Sequence, residues 1–296
     1  MSVPAAYLSV ILIWTTTPLA IAWSSEGGDF LFAVTARMAI GLLVVWGLVG
    51  LLRVHVPRHR EALATYLAAG LGIFFAMSLV YWSAQRIPSG WIAVVFGLSP
   101  IVTGVMARLW LRSETMRVGQ WLGMGMGVVG LAVMMLRPGA DSDLTTMGVI
   151  AMLGSVLAHS ASSIWVKRWG REIPGMAVTA GGLVLALPLF LLLWWQTSAV
   201  VQVPDLTFRA WASLGYLAVI GTGVGFALYY YVLRELDPVR AALITLITPA
   251  TALWLGHWAN QEPLDLYVLA GSGLIIGGLA AFQFTARKVR VEGGAP

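Results

Sequence analysis

The sequence predicts an all-α membrane protein: ten transmembrane helices arranged as two inverted five-helix repeats around a central cavity. Three observations lead there. The 296 residues are 59 % hydrophobic and only 10 % charged, with a mean hydropathy of +0.84, whereas an average soluble domain carries about 25 % charged residues. Ten apolar runs are each long enough to cross a bilayer. The two halves of the chain also resemble one another, while the charges of their matching loops are opposed.

A soluble chain of this length needs polar residues to cover its outside, whereas lipid accepts an apolar exterior. The net charge of +5 does not point to nucleic acid, which calls for a clustered basic patch with polar and aromatic partners. Here Lys and Arg are dealt out in twos and threes between apolar runs. The absence of cysteine excludes disulfides, thiol catalysis and cysteine metal sites. The apolar run from Val3 to Trp23 is too long for a signal h-region and has no basic segment before it, so it reads as an uncleaved first span.

A span needs about 20 apolar residues at about 1.5 Å of rise each. The runs are Val3 to Trp23, Phe30 to Leu52, Ala62 to Ala84, Pro88 to Trp110, Val118 to Leu136, Met147 to Val166, Pro174 to Trp195, Ala210 to Leu233, Pro238 to Trp258 and Leu264 to Ala286. They are continuously apolar rather than alternating, which excludes a β-barrel. Fourteen basic residues fall on the N-terminal side: Arg53, Arg58, Arg60, Arg108, Arg112, Arg117, Lys167, Arg168, Arg171, Arg234, Arg240, Arg287, Lys288 and Arg290. Only Arg86, Arg137 and Arg209 lie opposite, and Arg37 lies within a span. The positive-inside rule then places both termini in the cytoplasm of an inner-membrane protein.

The repeat is visible in aligned residues. Ala93 pairs with Ala242, Ser99 with Thr248 and Pro100 with Pro249; after a one-residue deletion Glu114 pairs with Glu262, Gly123 with Gly271, Gly125 with Gly273 and Gly130 with Gly278. Each half, 1–137 and 138–296, holds five spans, so the second must enter from the other face. The charges agree: the Glu114 loop carries Arg108, Arg112 and Arg117, and the Glu262 loop has no Lys or Arg. Inverted repeats are a recurring basis of secondary transporters, because mirrored halves can open a central site to alternate sides.

Each half carries a proline, a glutamate about 14 residues later and a Gly-rich last span. They read GLSPIVTGVMARLWLRSE with GMGMGVVG, and LITPATALWLGHWANQE with GSGLIIGG. In these motifs the whole chain resembles the EamA-type branch of the drug/metabolite transporter (DMT) superfamily, and within it the YddG-like aromatic amino-acid exporters. Trp14 and Arg37 also match residue types common at their positions in that family. The resemblance implies export of amino acids or other small metabolites through a cavity between the halves.

The candidate cavity residues are Trp14, Phe75, Ser78, Tyr81, Trp82, Ser99, His159, Ser163, Tyr230 and Thr248. His159 lies near the middle of its span in the run Leu157-Ala158-His159-Ser160-Ala161-Ser162-Ser163, which suits a watery cavity; the competing reading is a packing histidine bound to a carbonyl. The aromatics Trp14, Phe74, Phe75, Tyr81, Trp82, Tyr229 and Tyr230 suit a stacking pocket wall. Others near span ends, Trp110, Trp194, Trp195 and Trp258, suit the interfacial belt. Pro100 and Pro249 each free a backbone carbonyl beside a hydroxyl residue, Ser99 or Thr248, the alternative being a static kink. Arg37 lies about 10 Å into its span. It is read as structural, by snorkelling or by bridging to Glu26 or Asp29, in preference to a role in binding a substrate carboxylate.

The glycine steps Gly119, Gly123 and Gly127, and Gly273 with Gly277, read as close packing within one chain ahead of dimerisation. The sole acid inside the spans is Asp265, in the first turn of the last, which disfavours coupling through a buried carboxylate. Facilitated diffusion or a histidine relay remains. No clustered catalytic set is seen, so the chain is read as no enzyme and without cofactor or metal. Its expected partners are a small-molecule substrate and membrane lipid, as a monomer or weak homodimer. The alternatives are a channel-like pore for small solutes and an exporter of drugs or nucleotide-type metabolites.

Overall fold

A computed structural model describes residues 2–111, 118–138, 143–197, 205–236, 241 and 244–292. Arg112, Glu114, Arg117, Arg240 and Ala242, used above for topology and repeat, lie outside them. The elements are α1 (Val3–Ser24), α2 (Phe30–Leu51), α3 (Arg60–Ala84), α4 (Ser89–Phe96), α5 (Ser99–Leu111), α6 (Val118–Met135), α7 (Asp143–Trp169), α8 (Gly175–Thr197), α9 (Phe208–Tyr216), a π-helical turn (Leu217–Val224), α10 (Gly225–Glu235), α11 (Ile244–Asn260) and α12 (Leu266–Glu292).

Among the described residues nine helical spans are long and apolar enough to cross a membrane. α4 and α5 together form one, and α9, the π turn and α10 another. α11, of which 17 residues are described without interruption, takes the place of the tenth. The chain is therefore a multi-pass membrane protein. Its surface supports this: Leu12, Leu43, Leu51 and Trp258 are each at least 70 % exposed, an exterior that only hydrocarbon tolerates.

Local chemistry starts the helices. Pro4 lies in the first turn of α1, where its missing N–H costs nothing. Asp29 accepts from Leu31 N–H at 2.9 Å to cap α2, Thr207 accepts from Ala210 N–H at 3.2 Å to cap α9, and Asp265 accepts from Val268 N–H at 3.0 Å to cap α12. Each satisfies a donor that the helix cannot.

Packing reveals the repeat in space. α2 lies on α8, α4 on α11 and α6 on α12, so these spans meet their own counterparts; α3 meets α7 and α8, as the span of α9 and α10 meets α1 and α2. That pattern is what a pseudo-two-fold relation between two inverted five-span halves requires. The α6–α12 seam closes on glycine: a Cβ on Gly130 would lie 2.5 Å from the Gly271 carbonyl, and one on Gly278 would lie 2.5 Å from the Gly123 carbonyl. Of the expected glycine steps, Gly119 and Gly123 meet α12, whereas Gly273 faces open space; the close approach on α12 is made by Gly271 and Gly278.

The three arginines on the face opposite the N-terminus are all held. Arg209 pairs with Glu26, and Arg137 with Asp265, tying the end of the first half to the last span. Burial pushes the Asp265 carboxyl up, but the Val268 N–H, the Arg137 guanidinium and the Tyr267 N–H outweigh it and hold the group below the usual carboxylate range. Arg86 stacks 3.4 Å from the Trp82 ring centroid and donates to the Trp82 carbonyl at 2.7 Å.

A central cavity as the candidate functional site

The cavity begins where helices lose regularity. In α1, Pro18 leaves the Trp14 carbonyl without its helical donor, while Thr16 and Thr17 both donate to the Ile13 carbonyl, at 2.9 and 2.7 Å. In the fourth span Pro100 cannot donate to the Phe96 carbonyl, and the Ser99 hydroxyl does so instead at 2.5 Å. In the eighth span the chain widens into the π turn, a feature often found at functional sites. Irregular backbone at membrane depth is tolerated where protein or a water-filled cavity surrounds it.

Between these points lies a cavity lined by both halves of the chain. Part of its wall is an aromatic box. The Trp14 ring lies 6.0 Å from Phe96, 5.8 Å from His159 and 5.0 Å from Tyr229, and His159 lies 5.0 Å from Phe96 and 5.2 Å from Tyr229. These are attractive ring separations, and they join α1, α4, α7 and α10 from both halves.

A hydrogen-bonded loop orients the box. Ser163 Oγ donates to the His159 carbonyl at 2.8 Å and meets Tyr229 OH at 2.6 Å, and Tyr229 OH meets His159 Nε2 at 3.1 Å. Ser163 spends its single proton on the carbonyl, so Tyr229 donates to Ser163 and His159 Nε2–H donates to Tyr229. This network assigns the neutral imidazole its Nε2–H tautomer and leaves Nδ1 as an acceptor.

Arg37 supplies the charge. It lines the cavity at 1 % exposure. Its Nε donates to Thr222 Oγ1 in the π turn at 2.8 Å, its guanidinium stands 5.9 Å from the Tyr81 ring centroid, and its Nη1 has no partner among the described residues. The expected snorkel or bridge is replaced by this inward placement: Glu26 is engaged by Arg209 and Asp29 caps α2. Among the described residues that line the cavity there is no Asp or Glu.

Of the residues singled out from sequence, Trp14, His159, Ser163, Tyr230 and Thr248 line the cavity. Ser99 is fully buried on the Phe96 carbonyl. Tyr81 is fully buried beside Arg37, its hydroxyl without a partner among the described residues. Ser78 and Trp82 line a separate groove with Asp29, Met147 and Thr197, and Phe75 is 52 % exposed on the outside. The cause is helix phase: α3 turns Gly72, Ile73, Ala76, Met77 and Val80 to the cavity, so Phe75, Ser78 and Trp82 point elsewhere. Pro100 follows a two-residue break between α4 and α5, whereas Pro249 lies inside α11. Sequence reasoning missed Phe96, Thr17 and Phe226, which are ordinary apolar-span residues until the fold gathers them. The π turn had one sequence signal, the run Gly221, Gly223 and Gly225.

The profile of the EamA-like transporter family matches residues 3–136 and 146–283. The chain is similar to the uncharacterized transporter YvbV of Bacillus subtilis, 26 % identical over 90 % of this chain and 87 % of the relative. It is also similar to a probable terminal-alkyne amino-acid exporter of Streptantibioticus cattleyicolor, 23 % identical over 98 % of this chain and 96 % of the relative. A solved crystal structure superposes with a TM-score of 0.72 at 18 % identity, covering 97 % of this chain and 99 % of the other. With both halves matched, this chain belongs to the EamA-like transporter family of the DMT superfamily.

Proposed function

We propose that the chain exports amino acids with aromatic or other neutral side chains across the inner membrane, by alternating access of its two halves, 1–137 and 138–296, and without obligatory proton coupling. The observation that carries this reading is the box of Trp14, Phe96, His159 and Tyr229, contributed by both halves to the cavity wall. Faces of that kind hold an apolar or aromatic side chain by stacking, and the His159 Nδ1 lone pair accepts a hydrogen bond from an ammonium group. With no carboxylate among the described lining residues to carry a proton, net flux follows the substrate gradient. A relative whose name states amino-acid export supports the cargo class. Both termini face the cytoplasm, as the loop arginines direct, and the protein works as a monomer or weak homodimer.

Proteoliposomes test this. Radiolabelled phenylalanine should exchange against internal unlabelled phenylalanine, saturate, and equilibrate with no imposed pH gradient. In His159→Gln the flux should fall about tenfold, as expected for losing one oriented hydrogen bond of about 1.5 kcal/mol. Uphill accumulation driven by a pH gradient and persisting in His159→Gln sinks the uncoupled mechanism. Absence of exchange with any neutral amino acid sinks the cargo class.

A further inference from the structure

We infer that Arg37 is the receptor for a carboxylate, so that the cavity recognises monoanionic or zwitterionic organic acids by a bidentate guanidinium contact; the zwitterionic case rests on the amino-acid reading above.

A structural arginine at membrane depth is satisfied by a carboxylate or by backbone carbonyls. Arg37 has neither arrangement complete. At 1 % exposure it makes one hydrogen bond among the described residues, from Nε to Thr222, and its Nη1 has no acceptor among them. Guanidinium keeps its charge whatever its surroundings, and an uncompensated buried charge is costly. Within the described residues no acid pairs with it, and its side chain belongs to the cavity wall. A ligand entering that cavity is the remaining source of acceptor atoms.

The surrounding backbone is shaped around this group. The π turn sets Thr222 Oγ1 against Nε, and the fit is close: a Cβ on Gly41, one turn beyond Arg37, would lie 2.6 Å from Thr222 Cγ2, and one on Gly221 would lie 3.3 Å from Arg37 Nη2. Thr222 thereby fixes the plane of the guanidinium, which favours a planar, bidentate partner. One cation in a lining otherwise made of aromatic, aliphatic and hydroxyl groups matches one negative charge. A phosphate dianion would carry a second charge with nothing to meet it in a low-dielectric wall. The ligand is therefore an apolar body bearing a single carboxylate.

The test uses full-length protein in nanodiscs, with ligand-induced thermal stabilisation as the readout and two matched probe pairs: 3-phenylpropionate against its amide, and phenylalanine against phenylalanine amide. The acids should bind at least about tenfold more tightly than the amides, since only they offer two charged acceptor oxygens. Inorganic phosphate at equal ionic strength should give no stabilisation. Arg37→Gln should remove the acid-over-amide preference, and Thr222→Val, which keeps the charge but frees the guanidinium plane, should reduce it. Ser99→Ala, at a hydroxyl committed to the Phe96 carbonyl, should preserve it. Equal responses to acid and amide in the unmodified protein overturn the inference without any variant, and so does a preference that survives Arg37→Gln. An Arg37-dependent acid preference with no amino-acid exchange in proteoliposomes would keep this site and remove the proposed cargo. Exchange with no acid preference would remove the site alone.

Discussion

Two interfaces related by the internal repeat have diverged in what they bury. α3 packs on α8, and its counterpart, the span of α9 and α10, packs on α2. The first is backbone-tight: a Cβ on Gly70 would lie 2.8 Å from the Gly182 carbonyl, and Gly181 lies under the Tyr66 ring. α3 stays a regular helix through it. At the second, Gly41 and Gly223 also permit close approach, to Thr222 and Val44, but the approaching span loosens into a π turn and Arg37 is inserted between the helices. One scaffold has been used twice, once for packing alone and once to hold a charge against the cavity. The symmetry supplies the transporter frame, and the departure from it supplies the chemistry.

The largest break in this comparison comes from the tightly packed side. Gly70→Leu places a side chain where α8 already lies, its Cβ 2.8 Å from the Gly182 carbonyl and 2.9 Å from Leu185 Cβ. Overpacking of this kind costs about 1–3 kcal/mol or more, and no flexible neighbour can yield. Monodisperse protein after detergent extraction should fall severalfold by size-exclusion chromatography, whereas Gly47→Leu, with no neighbouring atom within 4 Å, should extract normally. Normal behaviour of both would mean that the α3–α8 seam does not hold the halves.

The two proline sites sharpen the comparison with a smaller effect. Ser99 and Thr248 are repeat mates, yet Ser99 satisfies the Phe96 carbonyl while Thr248 lines the cavity. Ser99→Ala should therefore lower thermal stability by about 1 kcal/mol and leave the apparent substrate affinity unchanged. Thr248→Ala should do the reverse, weakening apparent affinity severalfold with little loss of stability. Matching effects from the two variants would restore functional symmetry between the sites.

The smallest effect belongs to the Arg137–Asp265 tie between the halves. Because the folded carboxyl is held below its ordinary range, its contribution is full above the unfolded value near pH 3.9 and is lost as pH falls through the folded value. Both partners are partly exposed, at 24 % and 37 %, so the pair is worth at most about 1 kcal/mol. Arg137→Gln should lower the melting temperature slightly near neutrality, and the gap from the unmodified protein should close in acid. A gap that widens toward acid would assign the pair no such role.

The spans were legible because lipid imposes a single demand on every segment, about 20 apolar residues, and the ten runs meet it without reference to any neighbour. Helix faces were not. Phe75, Ser78, Tyr81 and Trp82 looked like pocket residues because they are polar or aromatic within α3. The cavity instead receives Gly72, Ala76 and Met77 from that helix, residues with no individual signal. In a soluble helix the apolar stripe would have revealed the phase. α3 is apolar nearly all round, so its rotation is set by packing against α7 and α8.

What the sequence determined by itself was therefore what is local or repeated: the spans, the doubling of the halves, and the mid-span depth of Trp14 and His159. Tertiary structure decided what depends on meeting across distance. The Tyr229 hydroxyl closes a loop with Ser163 and His159 from another helix. Ser99 turns away from the cavity to a carbonyl that Pro100 cannot serve. Arg37 finds Thr222, 185 positions along the chain, instead of the nearby acids Glu26 and Asp29. A charged side chain several ångströms long has partners on every side within reach, and which one it meets is settled by the helix placed against it rather than by its neighbours in sequence.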